Sequence, residues 1–371
     1  MLKKLILKTI VIVLAFALFA VPAGAAESEG RVPITSLSLE ESIRIAIENS
    51  SDLAIAQIEH EQAMADVRQA RRDARSILRL RWDGDPRGFT YDAMLAERVW
   101  PRTAEMLESL SYRNLEFTTN MLKFNVENAY YRVLRAEMDL QNARDSLSRA
   151  REQLRIVNVS VEAGVSPRSD IFGAENAVAS QELVVAFAEN YLRQARMDFN
   201  GLVGLPLVDV ITLTSTFEFT PVEFSFNEIK ERAMERDILY IRLHTNYEIQ
   251  REVFTVAGEF FPSVVYTYHE ARRDYNIAKL ELQEVYRTLE LNVRTALLNL
   301  ESARERFNLM ERSLEQAREN YRLINLRFEV GLATLLEIER ASGEIDEAQA
   351  QLLSAIYDYN LTVTMIRHGF F

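Results

Sequence analysis

The most regular feature of the chain is a run of apolar residues spaced three and four apart: Val126, Ala129, Val133, Ala136, Leu140, Ala143, Leu147, Ala150, Leu154, Val157 and Val161. A second run keeps the same register, from Val293, Ala296, Leu300, Ala303 and Phe307 through Met310, Leu314, Ala317, Tyr321 and Ile324 to Phe328. One constant shift maps the first run onto the second. The same shift pairs identical residues at Asn125/Asn292, Ser146/Ser313, Arg151/Arg318, Glu162/Glu329 and Gly164/Gly331, which makes an ungapped internal repeat. A 3.5-residue period is the coiled-coil period, and the mostly alanine alternate positions let neighbouring helices approach closely.

Past each run lies a short stretch centred on one glycine: SVEAGVSPRSDIFGA around Gly164 and RFEVGLATLLEIERA around Gly331. Beyond it the register resumes, with Ile171, Ala174, Val178, Val185, Ala188, Leu192 and Phe199 matching Ile338, Ala341, Ile345, Leu352, Ala355, Tyr359 and Ile366. Each glycine stretch is therefore a hinge between antiparallel helices, and the chain holds two helical hairpins on one plan. About 50 residues per arm predict rods of roughly 75 Å.

Ahead of the hairpins, Ser38-Leu39-Glu40-Glu41 and Ser225-Phe226-Asn227-Glu228 have capping-box spacing, and each predicts a helix start. The first of these helices is expected to run to about Arg75, the second to about Ala257. Leu78, Leu80 and Trp82 then alternate with Arg79 and Arg81, and Val264, Tyr266 and Tyr268 alternate within GEFFPSVVYTY, so each reads as a brief strand. Helix is expected again from Tyr91, with a kink at Pro101, and from Arg272. The stretch from Gly201 to Pro221 reads as a connector with some extended structure.

Composition agrees with helices. Twelve glycines and eight prolines in 371 residues leave little turn chemistry for an all-β fold. The fold class is all-α: long antiparallel coiled-coil hairpins in two tandem repeats, 26–221 and 222–371, with short strands only. Residues 1–25 read as a secretory signal, with Lys3, Lys4 and Lys8 before the apolar run Ile10–Val21 and a small-residue site at Ala23-Gly24-Ala25; an uncleaved anchor is the alternative. Removing those three lysines moves the net charge from −12 to −15, which argues against nucleic acid as a partner. The absence of cysteine excludes disulfides, thiolate metal sites and a lipid-modified cysteine.

The two repeats, the capping boxes, GEFFPSVVYTY, the VGLAT turn with its following acid and the YDYN helix end together resemble the TolC family of outer membrane efflux proteins. The resemblance spans essentially the whole chain after the signal and is most specific in the second half; AGVSP replaces the usual first hinge. It implies a homotrimeric tunnel that receives substrate from an inner-membrane pump through a periplasmic adaptor. By position it implies adaptor docking at Gly164, Val165, Ser166, Val330, Gly331, Leu332, Ala333 and Thr334. It places Glu337, with its counterpart Asp170, near the aperture, where Arg340 stands in place of a second acid. The family's membrane barrel, however, needs strands of ~9 to 11 residues, and the two brief alternations here are too short, so the barrel is expected to be reduced or missing.

Bland readings stand beside these. Glu337 also fits a solvated acid in the first turn of a helix, and the hinge glycines fit a purely backbone role. His60, His244, His269 and His368 have no metal-ligand spacing, and no catalytic constellation or cofactor site is visible, so an enzyme is not expected. Two functions remain: an exported efflux duct in the cell envelope, associated by resemblance with the outer membrane, or a barrel-less envelope scaffold that conducts nothing.

Overall fold

Each apolar run becomes one unbroken helix. The computed structural model describes residues 36–164, 167–214 and 218–370; the signal-like segment and the hinge residues Val165 and Ser166 lie outside them. In chain order, β1 (Ser36–Leu37) leads into α1 (Leu39–Asn49) and α2 (Ser51–Trp82). A 3-10 turn at Pro86–Phe89 precedes α3 (Tyr91–Arg98), α4 (Trp100–Glu162) and α5 (Ser169–Val203). Then β2 (Thr212–Leu213) precedes α6 (Phe226–Arg236), α7 (Ile238–Phe260), α8 (Tyr266–Glu329) and α9 (Leu335–His368).

The seam residues of α4 and α8 are all buried or half-buried. These helices run 63 and 64 residues, about 95 Å at 1.5 Å per residue, longer than the hairpin arms expected from the pattern. Cross-helix pairs fix the direction of packing. Glu137–Arg196 (2.8 Å), Arg144–Glu189 (3.1 Å) and Arg151–Glu182 (2.8 Å) join α4 to α5, each heptad forward on one being a heptad back on the other. Arg306–Asp358 (2.8 Å) and Asn320–Glu344 (3.0 Å) do the same for α8 and α9. Both hairpins are antiparallel.

The repeats join in a shared core within residues 36–370. Val126, Tyr130, Val133 and Ala136 of α4 pack with Phe199 and Val203 of α5, with Ala355 of α9 and with Leu37, whose carbonyl accepts from Tyr130 Oη at 3.1 Å. The connector crosses the second hairpin: Phe219 stacks on Phe307 at 3.9 Å, and the Val222 amide donates to Tyr359 Oη at 2.9 Å. In addition α9 lies along α4. Buried Glu127 of α4 accepts from Thr364 Oγ1 and pairs with His368 Nε2, both at 2.9 Å.

Several expectations are corrected. Leu78–Trp82 is not a strand but the last turns of α2, which ends at Asp83 with its amide on the carbonyls of Arg79 and Arg81. Leu78 and Trp82 stand four apart, so the short alternation is equally a helical stripe, and the helix satisfies its backbone groups without a partner strand. Likewise Val264 and Val265 form a turn, and α8 already begins at Tyr266 rather than Arg272. Among the described residues the strands are β1 and β2, paired in parallel through Ser36–Thr212 and Leu37–Leu213.

Each opening helix also breaks once. Ser50 and Asp237 lie equally far beyond Ser38 and Ser225, and each caps a new helix, accepting from the amides of Leu53 (3.3 Å) and Tyr240 (2.5 Å). The Ser38–Glu41 capping box forms as expected, but the one at Ser225 does not: Ser225 makes no side-chain cap bond and Glu228 pairs with Arg232 at 2.6 Å. The chain breaks at Val99, not at Pro101, which sits in the first turn of α4, where a missing amide hydrogen leaves no bond unmade. No described helix is long and apolar enough to cross a membrane.

Candidate functional site at the hairpin turns

The turn between α8 and α9 is closed from both sides. Gly331 has φ +74°, with its amide on the Phe328 carbonyl (2.9 Å) and the Leu332 amide on the Arg327 carbonyl (2.7 Å), the double bond of a Schellman end. The Arg327 guanidinium also donates to the Leu332 carbonyl at 3.1 Å. Three residues after Gly331, Thr334 opens α9 with a capping box. The Glu337 amide donates to Thr334 Oγ1 at 3.3 Å, and Glu337 Oε2 accepts from the Thr334 amide at 2.7 Å and hydroxyl at 2.9 Å. Those two donors, amide first, hold the Glu337 carboxyl below the usual glutamate range. Thr-Leu-Leu-Glu has capping-box spacing in the sequence, a signal the reading of this stretch as a family turn passed over.

The first hinge is less tightly bound. Gly164 has φ +72° with its amide on the Val161 carbonyl at 3.0 Å, while Arg168 begins α5 without a side-chain cap. Asp170 stands in the first turn of α5, as Glu337 does in α9. Both positive-φ glycines face open space, and the left-handed backbone of the turn is what favours glycine there. The structure brings the two hinges together: a Cβ on Gly173 would touch Leu335 Cδ2 at 3.7 Å. Val330, Leu332 and Leu336 of the second hinge and Phe172 of α5 are large apolar side chains left exposed. Ala333 is half-buried and Arg340 exposed.

A polar cluster lies on the order of 20 Å along the hairpins from the turns, and the sequence reading missed it. Asp346 of α9 accepts from Ser146 Oγ of α4 at 2.6 Å and pairs with Arg149, whose Nε donates to Ser342 Oγ at 3.2 Å. These side chains line a cavity of about 260 Å³. The available signal was a break in the repeat: the shift that maps Ser146 to Ser313 maps Asp346 to the uncharged Ala179. The cluster ties the two hairpins to each other. Among the described residues no His, Asp or Glu side chains gather as a metal site.

The comparisons with known proteins agree with this architecture. Residues 260–367 match the outer membrane efflux protein family. Over 300 residues the chain is 21% identical to the outer membrane protein TolC of Vibrio cholerae, covering 68% of each. Among solved structures, CusC superposes with a TM-score of 0.65 at 14% identity over 92% of this chain and 93% of that one. The outer membrane protein VceC of Vibrio cholerae gives 0.65 at 13% identity over 90% and 96%, and the outer membrane channel MtrE of Neisseria gonorrhoeae 0.62 at 17% over 90% and 88%. The resemblance read from the sequence stands; CusC and MtrE are described as channels and the matching family as efflux proteins, not as enzymes.

Proposed function

We propose that this chain, TolC-like in fold and in the sequence of its second half, is the efflux duct of an envelope export system and works as a homotrimer. One observation carries the assembly. The face of α8 marked by Ile277, Leu280, Leu291, Leu298, Leu309 and Leu323 is exposed, yet the repeat counterparts of all six on α4, Leu110, Arg113, Phe124, Tyr131, Asn142 and Ile156, are half-buried. On α4 that side is approached by α9 between Glu127 and Arg149, while Arg113 faces α6 and α7. Among the described residues of one chain nothing covers the equivalent side of α8. The helix equivalent to α9 is α5, and it carries its own exposed stripe, Phe172, Leu183, Phe187 and Met197. Packing α5 of the next copy on α8 as α9 packs on α4 continues the repeat from chain to chain, and such a heterologous contact closes a ring. Three copies closing it is what the family resemblance supplies.

The exposed turns are then gathered at one end of the ring, where Val330, Leu332 and Leu336, with Gly164, Val165, Ser166, Gly331, Ala333 and Thr334, form the surface for a periplasmic adaptor fed by an inner-membrane pump. Asp170, Glu337 and Arg340 of three copies line the aperture. The cap fixes the Glu337 carboxylate in one position at the start of α9.

The repeat also supplies the test. Ser146–Asp346 within a chain becomes Ser313–Ala179 between chains, and the protein has no cysteine of its own. Ser313→Cys with Ala179→Cys should oxidise to a ladder ending at three chains; a ladder absent at working concentration, or one ending at two, refutes the ring. A second reading, a scaffold that conducts nothing, draws on the helical ends where barrel strands were sought. Unchanged export in a strain lacking the gene, with an altered envelope, would decide for it.

A further inference from the structure

The chain is acidic, at −12 overall, but residues 68–87 hold seven arginines against three aspartates. Three of the seven are tied: Arg71 to Glu105 (2.8 Å), Arg81 to Glu97 (2.5 Å) and Arg87 to Asp85 (2.6 Å). The other four, Arg68, Arg72, Arg75 and Arg79, are exposed and have no ion-pair partner among the described residues; Arg72 donates to Gln69 at 2.6 Å. Their spacing of four, three and four places them on one stripe of α2, about 17 Å long. Trp82 continues the stripe and is 93% exposed. Like charges at this spacing work against a helix, so the stripe weakens α2 and gains nothing from the rest of the chain.

The stripe runs toward the end of the hairpins far from the hinges, and that end is apolar. Val264 is 84% exposed, and Tyr266, Phe89 and Trp100 are exposed beside it in sequence or across the turn. The two turns are held together by Arg98–Glu259 at 2.9 Å and by Tyr91 against Phe260 and Phe261, with ring centroids 5.9 and 5.0 Å apart. Most acids here are paired with arginines, Asp85, Glu97 and Glu259 as above and Glu270 and Asp274 with Arg273, leaving Asp83 and Asp92.

We propose that this end is a peripheral docking surface for an anionic lipid membrane. Tryptophan and tyrosine with an aliphatic neighbour settle at the level of the headgroups, while guanidinium forks on the adjoining helix flank pair with lipid phosphates. A soluble polyanion would use the arginines but give no role to Trp82, Val264 and Tyr266. No described helix is long and apolar enough to span, and the proposed attachment is of the interfacial kind. Lipid docking needs no conduction and stands whether or not the duct reading does.

The test uses the full chain with vesicles of phosphatidylcholine alone or mixed with phosphatidylglycerol, scored by flotation. Binding is expected to the anionic vesicles only and to fall with salt. Replacing Arg68, Arg72, Arg75 and Arg79 by Gln should weaken it by about fivefold per arginine in contact, on the order of several hundredfold for all four. Trp82→Ala should weaken it while preserving the salt dependence. In a Trp100→Phe protein, lipid-borne quenchers should dim Trp82, a readout independent of whether the arginine variant folds. Equal binding to both vesicles, unquenched Trp82, or an arginine variant that binds unchanged overturns the proposal. So does competition by polyphosphate with no effect of Trp82→Ala, which marks a polyanion site, or dissociation of the oligomer, which marks a second copy.

Discussion

Leu298→Ala isolates the proposed contact between copies from the folding of one copy. Leu298 is 61% exposed in the single chain, so truncating it there costs the fold little. Fully burying a leucine is worth roughly 1.5 to 3 kcal/mol, and burying the exposed part leaves about 1 kcal/mol lost on truncation at each contact. A closed trimer repeats the contact three times, giving about 3 kcal/mol, or on the order of a hundredfold in the association constant. Sedimentation or single-particle mass measurement over a dilution series reads that shift directly. The control is Leu289→Ala on the same helix, which is 5% exposed and packed in the core of the second hairpin. It should lower thermal stability, by about 2 to 5 kcal/mol, before it changes assembly. Trimers of Leu298→Ala as tight as wild type would refute the use of this face, and a lowered melting temperature of the isolated chain would show that the residue serves the fold.

Three further outcomes follow from local geometry. Thr334→Ala should speed amide exchange over Leu335–Ile338 by about fivefold, from the roughly 1 kcal/mol of a lost cap, whereas Ser225→Ala, with no cap bond to lose, should leave its helix unchanged. The Glu337 carboxyl, followed by NMR, should titrate below an ordinary glutamate and return toward it in Thr334→Ala. Its folded pKa being the lower one, the stabilisation is present above the unfolded value and lost as pH falls through the folded one. Gly331→Ala and Gly204→Ala share a positive φ, but a Cβ meets nothing at Gly331 and lies 2.8 Å from Asn49 Cβ at Gly204. Denaturant melts should therefore show about 1 to 2 kcal/mol lost at Gly331 and clearly more at Gly204.

The seams were legible because burial repeats every heptad for eleven positions in each copy, and no other element tolerates that pattern. The antiparallel hairpins followed from the register continuing through Gly164 and Gly331. What failed was short. Five residues from Leu78 to Trp82 alternate as a strand would, but they also place Leu78 over Trp82 on a helix, and the absence of a neighbouring strand decided between the two. At the site, the hinge glycines were readable and the Thr334–Glu337 cap was readable but unread. The Ser146–Arg149–Asp346 cluster was not: it joins residues about 200 positions apart on helices whose relative rotation no single-helix pattern contains.

The small parallel pair of β1 and β2 bears on the order of events as the chain folds. The Leu37 carbonyl is met by Thr214, 177 positions later, after both arms of the first hairpin have been synthesised. Loop closure over that length is entropically affordable only once the hairpin has brought the ends near each other. The residues that come first in this unit are thus among the last of the first repeat to be fixed. An interrupted synthesis that stops short of Thr212 would leave them unclasped, and protease access at Ser36–Leu37 would report whether the first repeat is complete.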